Sequence, residues 1–299
     1  MYKRQVADTV LGTDTSVLED TSRGRYMVER IRKILTRSVW ALTKQVQKGQ
    51  FHPKFYEELF RLEIPLKDQG KMYLSGRIDR IDTCETEDAV YVKILDYKSG
   101  RKQFQLADLY YGQQLQLVTY LNAAKEKQKR EDPHRDVIPA GILYYHMDDP
   151  MVESVGEEDP EQIQDAILEA LRPEGLINRD TEVINRLDTQ ISGKSKVIPV
   201  SLKKDGTLSA RGCSVASKEQ FEALGNFVDQ QIIKTAERIL DGEMEPRPME
   251  LGGQDACQYC PYQSVCHFDP KIPGFEKNKP EQLSQEELWS RIQEGETWK

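Results

Sequence analysis

Two short runs constrain this chain more than any others: Gly76-Arg77-Ile78-Asp79-Arg80-Ile81-Asp82, and, after an acidic turn, Ile94-Leu95-Asp96-Tyr97-Lys98-Ser99-Gly100. Both have the alternating pattern of β-strands, in which successive side chains point to opposite faces. Asp96 and Lys98 therefore point the same way and Tyr97 the other. A hairpin partner can bring Asp79 alongside Asp96. Two carboxylates converging on one point suit a hard divalent cation, most naturally Mg²⁺, and a neighbouring lysine can orient or polarise an attacking water. Such an arrangement cleaves phosphodiesters. The plain alternative is an exposed hairpin whose Asp and Lys are solvated or paired.

The 299 residues suffice for one large domain or two smaller ones with a real core. A charged fraction of 31% and a mean hydropathy of −0.67 describe a polar, soluble protein. No apolar run approaches a membrane span and no signal-peptide core opens the chain, so a cytoplasmic location is expected. The net charge of −8 conceals an asymmetry. Residues 21–54 carry Arg23, Arg25, Arg30, Arg32, Lys33, Arg37, Lys44, Lys48 and Lys54 against the single acid Glu29, and this segment either faces phosphates or forms a solvated helix face. Residues 148–169 are strongly acidic and read as an outer surface that repels polyanions.

Apolar spacing predicts an amphipathic helix over 23–47, strands over 61–66, 72–82 and 89–97, a helix over 106–125 and a buried strand over 137–146. Residues 51–60 read as an aromatic-rich transition, and the turn between the second and third strands covers 83–88. Farther on come a helix over 161–171 broken by Pro173 and Gly175, a short strand over 197–202, and a long helix to about Leu240 that opens with a capping box at Ser217 and Gln220. A terminal helix covers 286–294. This order implies an α/β fold, a mixed sheet flanked by helices. The expected division is an unassigned segment 1–20, a core 21–150, a helical and acidic portion 151–250 and a cysteine-rich tail 251–299.

On the helix read over Tyr110–Leu121, Gln116 and Tyr120 lie four residues apart and share a face. Gly76 to Asp79, Asp96 to Lys98 and Gln116 to Tyr120, in this order, resemble the RecB-like branch of the PD-(D/E)xK nucleases. With the cysteine run 256–266 the pattern is similar, over roughly residues 20–295, to the nuclease region of the AddB family, which belongs to bacterial ATP-dependent helicase/deoxyribonucleases. The resemblance implies a restriction-endonuclease-like α/β fold with a C-terminal iron–sulfur lobe. It also implies a Mg²⁺-dependent exonuclease module that processes single-stranded DNA ends at double-strand breaks for recombinational repair, with an AddA-type helicase–nuclease subunit as partner. From the same resemblance Asp79 and Asp96 ligate Mg²⁺, Lys98 assists the water, and Gln116 and Tyr120 support the site.

Cys257, Cys260 and Cys266 lie within ten residues and can reach one centre. The resemblance implies a [4Fe-4S] cluster, whose fourth thiolate would come from far upstream. Zinc with His267 as fourth ligand is the structural alternative, although Cys266 and His267 are adjacent and converge poorly on one ion. Cys84, read in a hairpin turn, and Cys213, read in a polar loop, match no family position and read as ordinary thiols. The family's upstream histidine ligand also has no counterpart, since His52, His134, His146 and His267 stand in other contexts. The chain is therefore expected to be a C-terminal portion of a longer protein. Two rival functions follow: a catalytically incomplete module that holds DNA or docks a partner, and a zinc-stapled regulatory protein. No phosphate-binding loop motif occurs, so ATP binding is not expected of these residues.

Overall fold

The computed structural model describes residues 20–67, 70–100, 103–152, 159–251, 254–258 and 260–297. Helix α1 (Ser22–Lys48) is followed by strands β1 (His52–Pro65), β2 (Lys71–Glu85) and β3 (Ala89–Lys98), then α2 (Leu106–Tyr110), α3 (Gln116–Glu131) and β4 (Asp136–His146). Next come α4 (Pro160–Ala170), β5 (Glu174–Asn178), α5 (Thr181–Leu187), β6 (Val215–Ala216) and α6 (Lys218–Leu240). Strands β7 (Glu250–Leu251) and β8 (Gln254–Asp255) and helices α7 (Gln263–Cys266) and α8 (Gln285–Glu294) complete the described chain. The first six strands make one sheet in the order β1-β2-β3-β4-β5-β6, antiparallel at β2–β3 and β4–β5 and parallel at β3–β4 and β5–β6. The expected mixed sheet flanked by helices is present.

Two compact units share the chain. The first takes the described residues of 1–60, 77–104 and 120–221, and the second those of 61–76, 105–119 and 222–299. In the first unit, alternation along β3 divides the sheet's two faces. Tyr91 and Leu95 join Leu143 and Tyr145 of β4, Ile177 of β5 and Val183, Ile184 and Leu187 of α5 in one buried cluster, with Leu42 of α1 packed against it. Burying each such aliphatic side chain contributes about 1.5–3 kcal/mol. The other face carries Val90, Val92 and Ile94, all buried, and then Asp96. Close approach of β4 and β5 depends on Gly175, whose φ of +146° and whose distance from the Ile142 carbonyl leave no space for a Cβ.

In the second unit Phe227 of α6 stacks on Tyr110 of α2 at 5.5 Å, and Tyr111 donates from its hydroxyl to the Glu281 carbonyl at 2.6 Å. Helix α8 has a capping box at Ser284 and Glu287 and ends on Gly295 in the left-handed conformation. The box expected at the start of α6 is also present, in the first unit: Ser217 N–H donates to Gln220 Oε1 at 2.8 Å, and Gln220 N–H to Ser217 Oγ at 3.2 Å.

Several expectations are corrected. The first strand starts at His52 rather than Arg61, because Glu57 takes a left-handed φ of +51° that interrupts the alternation and hides the strand. The helix expected over 106–125 is two helices: Gly112 turns left-handed at φ +79°, and the N–H groups of Gln113 and Gln114 both donate to the Asp108 carbonyl. Residues 197–202 form no named strand; Ser195 Oγ accepts from Val197 and Ile198 N–H and bends the backbone into a buried loop. Pro173 and Gly175 do not merely end a helix, since β5 begins at Glu174. Cys84 lies inside β2, 5% exposed, because the turn is closed farther on, between Thr86 and Ala89.

Candidate active site

The carboxylates and the lysine come from two strands of the first unit. The antiparallel register that sets Arg80 opposite Leu95 carries Asp79 to the row of Asp96. A hydrogen bond ties them further: Tyr97 N–H donates to Asp79 Oδ2 at 2.8 Å. That bond leaves Asp79 Oδ1 for another partner. Asp96 is 2% exposed. Lys98, on the same face, brings its Nζ to 2.6 Å from Asp96 Oδ2 and stands 5.2 Å from the centre of the Tyr144 ring. Tyr144 is the register partner of Asp96 on β4 and is itself buried.

The electrostatics of Asp96 follow from this packing. Burial pushes its carboxyl above the ordinary carboxylate range, Lys98 opposes the rise, and the Asp79 charge adds to it. Oδ2 is buried, and its close partner among the described residues is the Lys98 ammonium. Asp79 and Asp96 together fit Mg²⁺, which usually takes one or two carboxylates and keeps several waters. Among the described residues no group of three or more His, Cys, Asp or Glu side chains gathers as metal donors.

Asp79, Asp96 and Lys98 are thus brought together. Gln116 opens α3 and belongs to the second unit, while Tyr120, one turn later, belongs to the first. Tyr120 is 9% exposed and packs edge-on against Phe60 of β1 at 5.7 Å. His146 has no role in the sequence motifs, yet it is the register partner of Lys98. Its Nδ1 lies 2.6 Å from the Gly100 carbonyl and its Nε2 3.7 Å from Glu174 Oε2, so it fastens the segment that leaves the site. Its place at the end of a buried strand is the signal that could have found it.

Of the cysteines, Cys257 and Cys260 are partly buried and Cys266 is exposed. Burial pushes the Cys257 thiol up, as do Asp255 and the thiols of Cys260 and Cys266, which places the three in one electrostatic neighbourhood. A [4Fe-4S] cluster takes four thiolates. Within the first unit, Cys84 is buried with Arg186 Nη1 at 3.8 Å, and Cys213 Sγ accepts from Ser201 N–H at 3.2 Å. The three thiols of the tail are one donor short of the cluster. No described helix is long and apolar enough to cross a membrane.

The profile of the PD-(D/E)XK nuclease superfamily matches residues 3–267. Three similar proteins are B-type subunits of ATP-dependent helicase/deoxyribonucleases. With that of Clostridium acetobutylicum the chain shares 37% identity over 295 residues, covering 96% of this chain and 25% of that protein. With that of Thermoanaerobacter sp. it shares 36% over 296 residues, covering 96% and 26%, and with that of Clostridium botulinum strain Hall 38% over 284 residues, covering 92% and 24%. The chain thus spans about a quarter of the length of these relatives. Because the family match embraces both site strands and most of the chain, this protein belongs to the PD-(D/E)XK nuclease superfamily.

Proposed function

We infer that this chain is the nuclease module of a B-type helicase/deoxyribonuclease subunit and hydrolyses DNA phosphodiesters with Mg²⁺ at Asp79 and Asp96. One observation carries the reading: two carboxylates and a lysine brought into one row on adjacent strands, with Asp96 buried, within a chain of nuclease ancestry. When bound, Mg²⁺ supplies Lewis acidity at the scissile phosphate and lowers the pKa of a coordinated water. Asp79, held at Oδ2 by Tyr97 N–H, and Asp96, buried within its strand, would hold that cation. Lys98 places a fixed positive charge where the attacking water is oriented and where negative charge builds on the phosphoryl oxygens. Tyr120, which belongs to the same unit as the two carboxylates, acts as a supporting residue. The relatives' names support DNA as the substrate and another subunit of a helicase/deoxyribonuclease as the partner; single-stranded ends from double-strand breaks as the form of that DNA, and an AddA-type helicase–nuclease subunit as that partner, follow from the resemblance of the motif order alone.

The cysteine tail holds a [4Fe-4S] cluster only if a fourth thiolate joins Cys257, Cys260 and Cys266, and no part of the cleavage described depends on one. The rival reading, a module that holds DNA or docks its partner without cutting, draws support from the donor count: two carboxylates without a third His, Cys, Asp or Glu side chain among the described residues. Degradation of single-stranded DNA with Mg²⁺, measured on the full-length protein in its complex, separates the two. Asp96→Ala is expected to abolish the cleavage due to this site while DNA binding persists. Undiminished cleavage in that variant would overturn the assignment, and wild-type binding without cleavage by this site at every Mg²⁺ concentration would establish the rival.

A further inference from the structure

Behind the candidate site, on the reverse face of the same sheet, lies a buried ion network that the proposed chemistry does not use. Arg80 and Asp82 are two residues apart on β2 and share a face, and Lys93 of β3 stands opposite Asp82 in register. Asp82 is 0% exposed. Arg80 grips it with two donors, Nε to Oδ1 at 2.6 Å and Nη2 to Oδ2 at 2.8 Å, and Lys93 Nζ lies 2.9 Å from Oδ2. Taking three charges out of water costs several kcal/mol per ion, and apolar side chains of similar volume often hold a core as well or better. Stability alone does not call for this network.

Its further contact leads to the site. Arg80 Nη1 lies 3.4 Å from the Tyr97 hydroxyl, and the Tyr97 ring also meets Tyr145 edge-on at 6.0 Å. Tyr97 stands between Asp96 and Lys98, and its N–H is the donor to Asp79 Oδ2. One residue thus faces the network with its side chain and the candidate site with its amide. Asp79 is partly exposed, and a single fixed donor restricts the rotamers its carboxylate can sample. Misplacement of a reacting group by about 1 Å can cost 10²-fold in rate.

We propose that Arg80, Asp82 and Lys93 are positioning residues for the cation site, which fix the Tyr97 ring from behind the sheet so that its N–H holds Asp79 in the row of Asp96. This rests on the reading of Asp79 and Asp96 as cation ligands. Lys93 acts through Asp82, Asp82 through Arg80, and Arg80 through the Tyr97 hydroxyl.

The test uses the full-length protein with two variants. Tyr97→Phe removes the hydroxyl and leaves every buried charge paired. The combined variant Arg80→Met, Asp82→Leu and Lys93→Met removes all three charges together, so none is stranded. Two quantities are read: hydrogen exchange in the shortest peptide carrying the Tyr97 amide, and Mn²⁺ affinity by electron paramagnetic resonance, taken as the difference from Asp79→Ala. The combined variant is expected to exchange faster at Tyr97 and to bind Mn²⁺ about 10-fold more weakly, the lower end of what outer partners of a metal ligand contribute. Tyr97→Phe should shift both in the same direction by less, while Lys93→Arg, which keeps the charge, should leave both near wild type. A folded combined variant with wild-type exchange and Mn²⁺ affinity overturns the proposal; should that variant not fold, unchanged values in Tyr97→Phe overturn it. If instead Asp79→Ala itself binds Mn²⁺ like wild type, the cation-site reading has failed, a separate result.

Discussion

Asp82 and Asp96 are both buried aspartates on neighbouring strands of one sheet, each within 2.9 Å of a lysine, and their surroundings drive them in opposite directions. On the reverse face, burial would raise Asp82, but Lys93 and the Arg80 guanidinium outweigh it and hold the carboxyl below its usual range. On the site face, burial outweighs the one lysine, Asp79 adds its charge, and Asp96 is pushed up. The first carboxylate has three donor contacts from two cations; the second has a single lysine, on one of its oxygens. A saturated buried charge orders its neighbours. One with a single lysine partner and a like charge beside it still favours a further cation.

The contrast breaks most visibly at Asp82. Asp82→Ala strands the buried Arg80 guanidinium and the partly buried Lys93 ammonium and is expected to cost about 3–5 kcal/mol, read as a lower urea midpoint with unchanged slope. The Asp82 contribution should also be pH-dependent. Because its folded pKa is lowered, the stability it confers is present above the unfolded value near 4 and is lost as pH falls through the folded value. A smaller effect is expected at Lys98. Lys98→Met should slow cleavage by about 10²-fold, the usual scale for an electrostatic or proton-handling group, with little change in the Mg²⁺ concentration for half-maximal rate. A large rise in that concentration would instead make Lys98 a determinant of metal binding.

The smallest effect sharpens the comparison through its sign. The folded pKa of Asp96 is raised, so its charged form is penalised by folding, and the penalty grows as pH rises from about 4 through the folded value. Metal-free Asp96→Asn should therefore be as stable as wild type or less so in acid, and more stable than wild type at neutral pH. The gain is expected to be on the order of 1 kcal/mol, a common size for relieving a functional site of its strain. A loss at neutral pH would mean that the Lys98 ion pair outweighs burial.

The site face was legible because period-2 alternation and motif order act locally: Asp79, Asp96 and Lys98 needed only the strand pleat and one register. Arg80 and Asp82 lie in the same seven-residue run, and alternation puts them on one face. Nothing local says that this face is covered, because the cover comes from Phe51 before β1, from β3 and β4, and from α5 and the loop at Ile198, all distant in sequence. Charged residues at such positions read as solvent-facing until the tertiary packing is known. The break at Gly112 and the start of β1 at His52 were lost for another reason. Each depends on a single left-handed residue that resets the periodicity on which the reading relied.

The reverse-face packing also bears on the basic helix. Tyr145 donates from its hydroxyl to the Ser38 carbonyl of α1 at 3.4 Å, and Leu42 packs with the reverse-face cluster. The C-terminal half of α1 therefore lies on the side of the sheet away from Asp96. Its positive charge does not line the two carboxylates, whose fixed positive neighbour is Lys98.

The central claim is that Asp79 and Asp96 form a site completed by a divalent cation, and thermal unfolding of the full-length protein with and without Mg²⁺ tests it most directly. A ligand that binds only the folded state raises Tm by mass action. Wild type should gain stability with increasing Mg²⁺, whereas Asp96→Asn should start higher without metal at neutral pH and lose the share of that gain due to this site. A Mg²⁺ response of the same size in both proteins would contradict the claim.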